Sequence, residues 1–185
     1  MTLRQLYFTR FGFAIAWAAL VLVTGADRLG PATVALLVLY PAVDVAAAIV
    51  DARRAAPRKT RLLYANVAIS TLAAIGLAVA CASGIPAVLR VWGAWAIVAG
   101  LVQLFVALGR RAMGGQWAMI LSGGLSVLAG TSFLLAAGAD DPALTNVAGY
   151  ATVGGIFFLV SALRLRREAV IEPSVEATAE RVRNA

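Results

Sequence analysis

The chain has 185 residues, 62% of them hydrophobic and 14% charged, with a mean hydropathy of +0.87 and a formal net charge of +7. Soluble domains carry about 45 to 50% apolar residues, so this composition belongs to a membrane protein, and the basic balance comes without the motif or basic face that a nucleic-acid partner requires. A single cysteine, Cys81, and no histidine exclude an internal disulfide, thiolate metal clusters, His-based catalysis, haem ligation by His and ordinary zinc sites, so neither metal nor cofactor is expected.

The first apolar run covers residues 11–25 and follows Arg4 and Arg10. A basic start and small residues at Thr24-Gly25-Ala26 are also marks of a cleaved leader. The segment pairs with the next as half of a repeat, however, and a retained span over about 6–23 is expected. The polar link over 26–31 is short, which makes the first two spans an antiparallel hairpin.

The second run, residues 31–50, is long enough to match roughly 30 Å of hydrocarbon at about 1.5 Å per residue. It contains Asp44, the only acid well inside any apolar run. A charge near mid-bilayer costs a few kcal/mol, so such a carboxylate is neutral, paired or turned to a wet cavity. Asp44 lies seven residues before Asp51, about 10 Å from that end of the span at 1.5 Å per residue. Arg10 lies roughly one turn inside the first span, measured from the same side. Their depths nearly coincide, so Arg10 is the expected partner, with Tyr40, one turn from Asp44, as a second donor.

Basic residues crowd the next link, at Arg53, Arg54, Arg58, Lys59 and Arg61. Charge-free runs follow over 62–89, 91–109, 112–139 and 142–163, the first broken by a turn at Ser83-Gly84-Ile85-Pro86. The fold class is therefore all-α: a six-helix transmembrane bundle over residues 1–167, in hairpins at about 6–54, 62–111 and 112–167, followed by a solvated tail over 168–185. Of the 16 Lys and Arg, only Arg28 and Arg90 fall outside the N-terminus, the tail and the links at 51–61 and 109–113. The positive-inside rule then puts both termini in the cytoplasm.

The even-numbered spans begin near Pro31, Pro86 and Pro142 and end near Arg53-Arg54, Arg110-Arg111 and Arg166-Arg167, which is an internal repeat. In that alignment Asp44 stands where the other hairpins have Gly100 and Gly155. Membrane helices associate where small residues let backbones approach, and the series Ser122, Ser126 and Gly130 is expected to pack on the helix bearing Gly100 or Gly155, making spans four to six the tight part of the bundle. Trp92, Trp95, Trp117 and Tyr64 fall near span ends, where aromatic residues favour the interface, and Trp17 is a core filler. Gln103, Asn66, Ser70 and Thr71 are candidates for interhelical hydrogen bonds. No nucleophile and base constellation is present, so no catalytic residue is assigned.

Residues 116–130, with Trp117, Gly123, Gly124 and Gly130, followed by Pro142 and by Gly154-Gly155-Ile156-Phe157-Phe158, resemble the short repeat of HdeD-type membrane proteins. The likeness is clearest over 90–167, weaker over 62–90 and faint in the first hairpin, where Asp44 replaces a glycine. It implies a bacterial inner-membrane bundle of helix hairpins linked to acid or envelope stress, with no catalytic residues. Three classes of function remain: a non-enzymatic protein of envelope homeostasis that binds lipid, a second copy or another membrane protein; a small transporter or proton pathway using Asp44; and, least favoured, an intramembrane enzyme. Polar groups converging on Asp44 would favour transport, and an apolar surround with one Arg a structural pair. The charge distribution predicts that cytoplasmic reporters fused after Arg61, Arg111 and Ala185 are active and periplasmic reporters work near Arg28, Ser83 and Asp141; export of the C-terminus would refute this topology.

Overall fold

The computed structural model describes residues 1–54 and 60–165. Arg58 and Lys59 in the second link, the Arg166-Arg167 pair and the tail over 168–185 lie outside the described residues. Among the described residues there are six α-helices: α1 (Leu3–Thr24), α2 (Pro31–Ala52), α3 (Thr60–Ala80), α4 (Ile85–Gly109), α5 (Gln116–Ala136) and α6 (Thr145–Arg164). Each is long and apolar enough to cross a membrane, and no strand occurs among the described residues.

Local chemistry sets the helix starts. Thr2 and Gln5 cap α1 reciprocally, the Thr2 side chain accepting from the Gln5 amide and the Gln5 side chain accepting from the Thr2 amide. Pro31 opens α2 and Pro86 lies in the first turn of α4, where a missing N–H costs nothing. The fifth helix begins at Gln116 rather than near Ala112, because a 3-10 turn at Arg111–Met113 and two positive-φ glycines, Gly114 and Gly115, carry the chain across the link.

The helices form a ring in chain order, closed by α6 against α1. The most extensive interfaces join α4 to α5, α1 to α6 and α2 to α3, whereas α1 and α2 touch sparingly. Close packing therefore runs across the boundaries of the sequence hairpins more than within them. Between α4 and α5 the reason is steric. Gly93 faces Gly130 and Gly100 faces Gly123 across the antiparallel contact; a Cβ on Gly130 would stand 2.5 Å from the Gly93 carbonyl oxygen, and one on Gly100 would stand 2.6 Å from the Ser126 Cβ. Backbones this close leave no room for a side chain at these four positions.

Ser122, Ser126 and Gly130 are all buried, and at Ser126 and Gly130 the neighbour is α4. Gly155 behaves otherwise: its nearest neighbour is Ala14 of α1, so α6 is not part of the tight unit with α4 and α5. The correction has a simple cause, since a closed ring gives α6 two neighbours and its small-residue face is used on α1.

The bundle is filled unevenly along its axis. In the half next to the α1–α2, α3–α4 and α5–α6 links, Trp17, Val21, Leu37, Leu77, Val88, Trp92, Phe133, Leu144 and Val147 form a continuous apolar core. Toward the opposite, basic end, a smaller group that includes Tyr7, Met119 and Phe158 borders a cavity instead. Replacing Gly130 with Leu is expected to push α4 and α5 apart and lower stability by about 1–3 kcal/mol, the cost of overpacking; an unchanged thermal unfolding curve in detergent would remove this contact from the stabilising set.

Candidate functional site

Asp44 sits on the inner face of α2 and is 8% exposed. Its carboxylate takes three donors from two neighbouring helices. Arg10 of α1 donates through Nη2 to Oδ1, forming an ion pair. On the other oxygen, Asn66 Nδ2 donates at 2.7 Å and the Ser70 hydroxyl at 2.8 Å, both from α3. Ser70 is oriented in turn by the Trp95 indole N–H, which donates to its oxygen at 3.0 Å. Arg10 also lies over the Phe158 ring of α6, 4.2 Å from the centroid, so its charge meets a carboxylate and an aromatic face.

Tyr40 makes a different contact from the one expected: its ring, not its hydroxyl, is engaged. It lies 4.6 Å from Trp17, 5.5 Å from Phe13 and Trp92, and 6.0 Å from Trp95, centroid to centroid. Trp17 and Trp92 stack at 5.4 Å, and Trp92 meets Trp95 edge-on at 5.3 Å. Trp92 and Trp95 are therefore core residues, not interfacial anchors. They lie seven and ten residues into α4, roughly 10 and 15 Å from its start at 1.5 Å per residue, on its inward face. Trp117 and Tyr64 do lie on the outside of the bundle. The Trp17 indole donates to the Leu36 carbonyl at 2.6 Å, in the turn preceding Pro41 of α2.

Below this aromatic layer lies a cavity of about 100 Å³, lined by residues from all six helices. Asp44, Arg10, Asn66, Trp95 and Tyr40 form its deep wall together with Tyr150, Ser122 and Ser126. The Tyr150 hydroxyl donates to Ser126 Oγ at 3.0 Å, and Ser126 donates to the Ser122 carbonyl at 2.9 Å. At the end carrying the basic links, the lining reaches Tyr7, Asp51, Arg110 and Gln116.

There a second ion pair spans the cavity. Arg110 Nη1 and Nη2 donate to the two Asp51 oxygens at 2.7 and 3.0 Å, a two-pronged bond from the end of α4 to the end of α2. Burial pulls the Arg110 pKa down, but the hydrogen bond and charge of Asp51 outweigh it, and the guanidinium is held above its ordinary range. Sequence reading missed this pair because Asp51 served only to mark the end of the second span and Arg110 only as half of the repeat's arginine pair. The available signal was the seven-residue spacing from Asp44 to Asp51, which puts both acids on one face of α2.

Of the other polar candidates, Gln103 Nε2 donates across to the Met119 carbonyl at 3.1 Å, whereas Thr71 bonds the Val67 carbonyl of its own helix. Tyr7, Tyr150 and Gln116, not singled out from sequence, also line the cavity. Among the described residues no group of His, Cys, Asp and Glu is arranged to hold a metal ion. No family model matches the chain, and neither does any curated protein or solved structure.

Replacing Asp44 with Asn leaves Arg10 without its counter-charge, and removing one partner of a buried pair costs about 3 kcal/mol or more. Asp44→Asn is therefore expected to unfold at lower temperature, and exchange of the two residues to recover part of the loss; full stability of both Asp44→Asn and Arg10→Gln would refute a structural pair.

Proposed function

We propose that the chain is a non-enzymatic, multi-pass protein of the bacterial inner membrane whose bundle holds a water-filled vestibule for a small polar solute, open toward the cytoplasmic side. The observation that carries this reading is the one-sided filling of the ring. One half is packed with aromatic and aliphatic side chains, and the other surrounds a cavity faced by two Arg, two Asp, Tyr, Ser, Asn and Gln. A cavity with polar walls and this much room takes in water, where an apolar one stays dry. The convergence of Arg10, Asn66 and Ser70 on Asp44 also supports a solute-handling site over an isolated ion pair in an apolar surround.

In this reading the Trp17, Tyr40, Trp92 and Trp95 layer closes the inner end of the vestibule. The sparse α1–α2 contact beside that layer is the seam at which the ring would loosen to let a solute past. Asp44 and Arg10 hold that seam together. Envelope or acid-stress tolerance is the physiological setting we propose, supported by the resemblance of the second half to HdeD-type proteins.

Cysteine chemistry tests the vestibule. In a Cys81→Ala background, Ser122→Cys is expected to react with a membrane-impermeant thiol reagent in inside-out vesicles and to resist it in right-side-out vesicles. A folded variant unreactive from both sides would mean that the cavity is closed to water and would refute the proposal.

A further inference from the structure

The vestibule also constrains the charge of its solute, an inference that rests on the function proposed above. Among the described residues its lining contains four charged ones, Arg10, Asp44, Asp51 and Arg110, and they cancel. Both acids are already matched, Asp44 by Arg10, Asn66 and Ser70, and Asp51 by both arms of Arg110. An ion entering this space would shed its hydration and find no spare counter-charge unless it broke a buried pair. An uncharged molecule meets no such barrier.

The unmatched groups define the rest of the chemistry. Among the described residues, the remaining N–H donors of Arg10 and the Tyr40 hydroxyl have no hydrogen-bond partner. Arg10 has no acceptor to offer, and a guanidinium carries five N–H donors, so spare donors gather at the deep wall, while toward the basic end the buried Gln116 Oε1 has no hydrogen-bond partner among the described residues and offers an acceptor. A solute that brings an oxygen acceptor matches the deep wall. A cavity of about 100 Å³ holds roughly six non-hydrogen atoms, taking about 15 Å³ of such space for each water-sized unit. We propose that the solute class is a small uncharged molecule with a carbonyl or hydroxyl oxygen, of the size of an amide, a urea or a three-carbon polyol.

Two matched pairs of probes separate charge from shape: acetamide against acetate, and urea against guanidinium. With Ser122→Cys in the Cys81→Ala background, acetamide and urea are expected to slow thiol labelling, while acetate and guanidinium at equal concentration do not. Adding Tyr40→Phe should weaken protection by acetamide about fivefold, the effect of one neutral hydrogen bond, with the elution volume in detergent unchanged. Arg10→Lys, which keeps the charge but loses the planar fork, provides a second test if Tyr40→Phe does not fold. Protection by acetate or guanidinium equal to that of its neutral counterpart would overturn the solute class and leave the vestibule standing. Labelling that none of the four probes slows would overturn the class as well, and failure of the cysteine to label at all would instead refute the vestibule.

Discussion

A carboxylate inside hydrocarbon must be neutralised, and much of this architecture can be followed from Asp44. Left alone at that depth it would cost a few kcal/mol. It is answered by a guanidinium from α1 and two neutral donors from α3, so one side chain ties three helices together. The tie matters most between α1 and α2, because their backbones touch little. Arg10 in turn needs surroundings that tolerate its own charge, and Phe158 of α6 supplies an aromatic face. One buried acid thus reaches four of the six helices.

The other organising force is close approach of backbones, and it acts elsewhere in the ring. Between α4 and α5, Gly93, Gly100, Gly123 and Gly130 leave no side chain at the points where the backbones come closest. Around α1, α2 and the start of α4 the opposite holds, with large rings filling the space between more distant backbones. A ring drawn tight on one flank by glycine and wedged on the other by tryptophan and tyrosine cannot fill its interior uniformly. The polar residues of the basic half face the remaining space, and two ion pairs about 10 Å apart along α2, two helical turns, brace it from within.

Chain length, apolar runs and the placement of arginines determined the six helices from sequence alone, because spanning length and the cost of charge in lipid are one-dimensional properties. The Asp44–Arg10 pair was legible for the same reason: depth in a membrane is counted along the chain, and both residues lie at nearly the same depth. Depth is not azimuth, however. Tyr40 has the right height to bond Asp44, yet its ring turns into the aromatic layer. Trp92 and Trp95 stand close enough to a span start to read as interfacial, but they face the interior. Which neighbour each small-residue face meets was likewise decided by ring closure, which sent Gly155 to α1 while Gly100 met α5. Only the tertiary structure could bring Asp51 to Arg110, 59 residues apart, or gather polar residues from six helices around one cavity. No single helix carries enough of them to form a polar stripe, so their convergence has no periodic signature in the sequence.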